Sequence, residues 1–393
     1  MRRLLLLSAL AFAPLAHAQG ANDQLQLRGV TADVNVEVSH AYEVGATAIA
    51  AGNTVARTGE DVDLESRQHM DGDANASANA TVWQADGVVS VSSAAIANGA
   101  TGAVSSGDMN VAATQLAHGD TNADTVVVTG NAGHAASSSS ASANVAALSA
   151  QNGELRASAY QESTGAVRAT TEADHCCVAG QLVSAAIASA NNAAIGGETA
   201  TILTDTTQTA SGPQVAARVD LYAGYANDVS GNATANANAL TIDNAWGYMN
   251  ARAAQSSSAD VSADSYVTLG GDFLGVGSAG AYGVGNSVNL SNIASDTVLD
   301  VAQSNSGDIS ANAALAGAGG DMALASSAAY GNVVSASLCS YCGEEPGLSA
   351  RNEQNNAGGV HANATINTPY ARTVAATASA IGNAATYQVT GAN

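Results

Sequence analysis

The stretch "AQSNSGDISANAAL" (Ala302–Leu315) contains the whole argument about fold. A glutamine is followed four residues later by glycine, and then small residues alternate with polar ones at a period of two. That period belongs to a half-buried strand, and Ser, Asn, Gly and Ala crowd out the Leu, Glu and Lys that helices favour. The same figure returns as "RQHMDGDANA" from Arg67, "TQLAHGDTNA" from Thr114, "YQESTGAVRA" from Tyr160, "TQTASGPQVA" from Thr207, "AQSSSADVSA" from Ala254 and "EQNNAGGVHA" from Glu353. The glutamines are Gln68, Gln115, Gln161, Gln208, Gln255, Gln303 and Gln354, at intervals of 47, 46, 47, 47, 48 and 51. Gly stands four residues on in six copies and Ala259 in the other, and Ala stands eight residues on in all of them.

A second motif keeps the same beat. "AYGVGNSVNL" (Ala281–Leu290) recurs as "AYGNVVSASL" (Ala329–Leu338) and "AIGNAATYQV" (Ala380–Val389). Its asparagines fall at Asn53, Asn98, Asn144, Asn191, Asn238, Asn286, Asn332 and Asn383. The next Gln follows after 15 residues once, 17 five times, and 22 in the unit that carries the insertion "CSYCGEEPG". Two phase-locked motifs mark a solenoid in which each unit stacks on its neighbours. The expectation is an all-β chain, a parallel β-helix or β-solenoid of about seven and a half repeats of ~47 residues. A coil of that size is large for a β-helix, so each unit is expected to hold two coils of roughly 20 to 26 residues, giving about fifteen rungs and ~70 Å of length. The Gly after each Gln is expected to turn a corner with positive φ.

Composition sets the outer limits. Residues 1–18 read as a signal peptide: Arg2 and Arg3, the apolar run "LLLLSALAFAPLA", then "AHA" as a cleavage site. Residues 19–46 are then a leader or cap, and 47–393 the repetitive solenoid. The net charge of −22 becomes −24 without those two arginines (9 − 33), and the chain has no lysine. Such a chain repels phosphate backbones, which argues against nucleic acid as a partner. Hydrophobic residues make up 46% yet aromatics only 4%, so the core must be built of small side chains closely stacked.

Chemistry is harder to find. Buried amides at repeat corners bond neighbouring backbone or one another, so the Asn and Gln series is taken as structural rather than ligand-binding. Cys339 and Cys342 could close a small disulfide loop within the insertion, while Cys176 and Cys177 stay reduced or cross-link chains. "DGD" at Asp71–Asp73 and "GGD" at Gly270–Asp272 and Gly319–Asp321 are fragments of calcium-binding nonapeptides, but the full pattern never occurs in tandem. Neither G-x-S-x-G nor H-E-x-x-H is present, and the histidines are scattered. No catalytic residue, metal ligand or cofactor is assigned, and the chain is read as a non-enzyme.

These features, taken over the whole chain after residue 18, resemble the holdfast attachment (HfaD) family of stalked alphaproteobacteria. The resemblance lies in the signal peptide, the acidic lysine-free composition and the Gly-Asn and Gln-x-x-x-Gly repeats. It implies an exported protein on the outer cell surface or outer membrane, at a cell pole or stalk tip. There it would help anchor a polysaccharide adhesin, with a curli-like subunit and a lipoprotein secretion pore as partners and self-assembly as a property. It implies no site residues. The end "TYQVTGAN" lacks the aromatic terminus of an autotransporter, so a separate exporter is expected. Two rivals are a trimeric-autotransporter-like adhesin head, suggested by "AAIASANNAAIGG", and a secreted β-helix polysaccharide lyase.

Overall fold

The computed structural model describes residues 19–340 and 346–390. The expected signal peptide therefore lies outside the described residues, as do Cys342 and most of the insertion. Every described strand pairs in parallel with the equivalent strand one repeat away. The chain is a β-solenoid, as the repeats require.

Each rung from the second to the seventh is one short strand and one long one; in the first and last rungs the long one is split, as Val30–Val38 with Val44–Gly59 and as Val360–Asn367 with Ala371–Thr390. The short strands, such as Val62–Met70, Thr201–Ala210 and Thr297–Asn305, form an eight-stranded parallel sheet. The long strands, such as Ala74–Val104, Gln214–Ala245 and Ile309–Cys339, form the second sheet. Register is direct: Gln208 pairs with Gln161 and Gln255, and Asn238 with Asn191 and Asn286. A repeat is thus one coil and not two. Eight rungs at ~4.8 Å give a stack of about 38 Å, half the expected length.

The interior explains how so large a coil closes. The buried apolar side chains fall into two separate clusters. One is Ala-rich, with Ala74, Ala76, Ala78 and Ala80 along a single strand. The other holds larger side chains, among them Met109, Leu155, Ile202, Met249 and Leu299. Each rung is pinched where its Asn and Gln meet, and the two clusters fill the lobes on either side. The 17 residues from Asn98 to Gln115 run round the smaller lobe, and the 30 from Gln115 to Val145 round the larger. A 47-residue coil is therefore two narrow tubes sharing a wall, each filled by its own cluster of buried side chains.

The ladder begins earlier than the repeats suggest. Gln19–Gln26 pairs with Val62–Met70 in register, so residues 19–46, expected as a leader or cap, contribute strands to a first rung of the same kind. The strand Val30–Val38 is only half-buried because no described strand stacks on its outer side. The Ala column runs Ala32, Ala76, Ala123 and Ala169, then steps to Ala217 rather than Ala216, and continues with Ala263, Ala311 and Ala362. The corner containing Pro213 carries one extra residue, which the strict eight-residue spacing concealed.

The expected positive φ at the Gln corner is overturned. Gly107 is the one described glycine in the left-handed region, and it lies in the other turn, at the tip of the smaller lobe. Asn152 (φ 55°), Thr199 (φ 53°), Trp246 (φ 66°) and Ala294 (φ 60°) take the same conformation at that tip in later rungs. The corner glycines answer a different demand. A Cβ on Gly119, Gly165, Gly212 or Gly358 would sit 2.0–2.3 Å from a carbonyl oxygen of the glycine one rung before. Backbone stacks on backbone there, leaving no room for a methyl group.

Candidate functional site

The Asn and Gln series, the most regular polar feature of the sequence, is interior. Asn98, Asn144, Asn191, Asn238, Asn286 and Asn332 are fully buried, and Gln68, Gln115, Gln161 and Gln208 nearly so. Each Asn donates twice. Asn191 Nδ2 gives one hydrogen to Asn238 Oδ1 of the next rung and the other to the Thr209 carbonyl across the pinch, both at 2.8 Å. Each Gln also donates twice: Gln208 Nε2 reaches Gln161 Oε1 of the previous rung at 2.8 Å and the Ala239 carbonyl at 2.9 Å. Within the two ladders, between the end rungs, each amide oxygen accepts from a neighbour, so both hydrogens and the oxygen of each of these amides are satisfied.

The two ladders run in opposite directions. Asn amides donate toward the C-terminal rung, from Asn53 through to Asn383, while Gln amides donate toward the N-terminal rung, from Gln354 down to Gln68. Gln68 donates in turn to Gln24, a member outside the Gln-x-x-x-Gly series. Its signal was present, since Ala32 stands eight residues after Gln24, but its glycine, Gly29, is five residues away. The end faces are consequently unlike. In the first rung Asn53 offers an amide oxygen outward and Gln24 an N–H; in the last, Gln354 offers an oxygen and Asn383 an N–H.

On the outer surface an open groove of about 500 Å³ crosses four rungs of the larger lobe. Val126, Val128, Glu172, Asp174, Asp220, Tyr222, Tyr266 and Thr268 line it. The Arg218 guanidinium stands 5.2 Å over the Tyr266 ring and pairs with Asp220 at 2.6 Å. Burial, helped by the Asp264 charge, pushes the Tyr266 hydroxyl above its ordinary range, so it stays protonated as a donor. Flat aromatic faces beside carboxylates suit the apolar faces and hydroxyls of sugar rings.

The other candidates remain apart. His40 pairs with Asp86 at 3.2 Å, His134 Nδ1 accepts from the Gln181 backbone, and His175 is buried with neither ring nitrogen bonded. Outside the Gln corner of the second rung, His69, Asp71 and His118 converge. Cys176 and Cys177 put their sulfurs 2.8 Å apart on the fourth rung, and Cys339 is exposed on the seventh. The expected Cys339–Cys342 bridge involves a residue outside those described.

The family described as Holdfast attachment protein D matches residues 36–308, from the long strand of the first rung to the corner of the seventh. No curated protein and no solved structure matches the chain.

Proposed function

This chain belongs to the holdfast attachment protein D family, and from that membership we infer that it is a non-catalytic structural protein anchoring a polysaccharide adhesin to the outer envelope. The observation that carries the reading is the pair of unlike end faces. Stacked head to tail, Gln24 of one copy meets Gln354 of the next as donor to acceptor. Asn383 likewise meets Asn53, so both ladders and both sheets run on unbroken. Stacking two like ends would reverse the donating sense of each ladder at the junction. Self-assembly of this kind turns a short rung stack into a rod, and its repeated outer grooves present many weak sugar contacts together.

Partners of the anchor, an adhesive polysaccharide and sibling surface proteins such as a curli-like subunit and a lipoprotein secretion pore, belong to the same reading, as does a place at the pole or stalk tip. High negative charge keeps single rods dispersed until they meet a stacking partner. Deleting the gene tests the reading. Otherwise intact cells should shed their adhesive into the medium; cells that keep it at wild-type strength would overturn an anchoring role.

A further inference from the structure

His69 lies on the outer side of the short strand Val62–Met70, Asp71 opens the corner that follows, and His118 sits at the same corner one rung on. His69 Nε2 is 2.7 Å from Asp71 Oδ1, His118 Nδ1 is 3.0 Å from the same oxygen, and the two ring nitrogens are 3.1 Å apart. The rings meet nearly edge to face, at 79°, so both nitrogens and the oxygen turn toward one point.

Protons cannot satisfy this triangle. Two neutral imidazoles bring at most two N–H hydrogens to three short contacts. If both nitrogens donate to Asp71, they oppose each other as donors; if one donates to the other ring, the ring that accepts faces Asp71 lone pair to lone pair. A cation held by all three lone pairs removes the conflict. The spacing fits one coordination number: at bonds of ~2.1 Å, neighbouring ligands lie about 3.0 Å apart in an octahedron and about 3.4 Å apart in a tetrahedron. The observed contacts fall on the octahedral value.

We propose that His69, Asp71 and His118 bind a divalent first-row transition ion across the second and third rungs, holding one face of its coordination shell. Imidazole donors select such an ion over calcium, which prefers all-oxygen ligands. The three side chains are 34%, 41% and 38% exposed, so the opposite face of the ion is open to water or to an oxygen donor on a partner. No other rung repeats the set: the residues equivalent to His69 and His118 in the fifth rung are Thr209 and Ser211, and in the sixth Ser256 and Ser258. The site staples a chosen pair of rungs, near the N-terminal end of the stack.

The test titrates Zn²⁺, and Co²⁺ as the spectroscopic probe, into the untagged chain from residue 19 onward at neutral pH. One equivalent should bind, with weak six-coordinate Co²⁺ absorption, and acidification should release it, since metal ions compete with protons for their ligands. His118→Ala and Asp71→Asn should each weaken binding at least about tenfold, the lower end of what even outer-sphere partners of a metal cost. His69→Gln provides a second ligand variant should one of these fail to show the strand spectrum of the parent. A Cys176→Ser, Cys177→Ser double variant should bind as the parent does. Absence of stoichiometric binding, or undiminished affinity in all folded ligand variants, would overturn the proposal.

Discussion

Asn191 Nδ2 donates to the carbonyl of Thr209 at 2.8 Å, and this bond, repeated by the Asn of the first seven rungs, is where the coil closes on itself. It joins the far end of the larger lobe to the short strand, so that two apolar compartments share one polar wall. Asn191→Ala would orphan a donor on Asn144, an acceptor on Asn238 and the Thr209 carbonyl. The expected cost is about 3–5 kcal/mol, since each buried partner left unpaired costs about 1–3 kcal/mol before relaxation. Urea unfolding measures it, with exposed Asn289→Ala as the control expected to change little.

The corner glycines and the tip residues give reciprocal expectations. Gly165→Ala should destabilise by roughly 2 kcal/mol or more, because its Cβ would lie 2.0 Å from the Gly119 oxygen. Gly165→Asn should do no better, whereas a left-handed corner would favour Asn over Ala. Ala294, held at φ 60°, is the opposite case, and Ala294→Gly should raise the melting temperature by relieving about 1 kcal/mol of backbone strain. Equal tolerance of Asn and Gly at position 165 would show that the backbone contact is not what selects glycine.

His175 couples stability to pH. Burial without any partner lowers its pKa from 6.5 to about 4. The unfolded chain therefore takes up a proton as pH falls below ~6.5 while the folded chain does not until about 4, so stability declines through that window. The full effect is about 3 kcal/mol, of which about 2 kcal/mol falls between pH 7 and 5. His175→Ala, matching Ala223 in the same column, should lower stability at both pH values but flatten the decline between them. Unfolding curves at the two pH values decide the matter, and an unchanged slope would count against this role for His175.

Head-to-tail stacking predicts an asymmetric response to end variants. Truncation at Ala375 removes most of the last long strand, including Asn383, and should abolish higher assemblies while the preceding rungs keep their strand spectrum. Gln24→Leu should cap the opposite face, and a mixture of the two variants should then form nothing larger than a dimer, through their intact ends. Sedimentation of the parent, each variant and the mixture reads this directly. Long rods from the truncated chain alone would refute the stacking register.

Reading the chain as a string of residues was enough to establish the strands, their parallel stacking and the places where Asn and Gln recur, because side-chain period and repeat length are properties of order along the chain. It located fifteen ladder positions, eight Asn and seven Gln, and it failed at Gln24, whose glycine stands one place further on, and at Ala217, where the corner gains a residue. What periodicity could not reach was the contact across the rung. Whether Asn98 and the Leu116 carbonyl belong to different coils or face each other over 2.8 Å depends on how the chain bends between them, and spacing is silent about bends. For the same reason the glycines were assigned to torsion when their constraint is the neighbouring backbone, and His69 and His118 looked scattered although stacking brings them together. Order along the chain determined the rung; the approach of chain to chain across and between rungs, where amides pair and backbone meets backbone, was decided only by the tertiary structure.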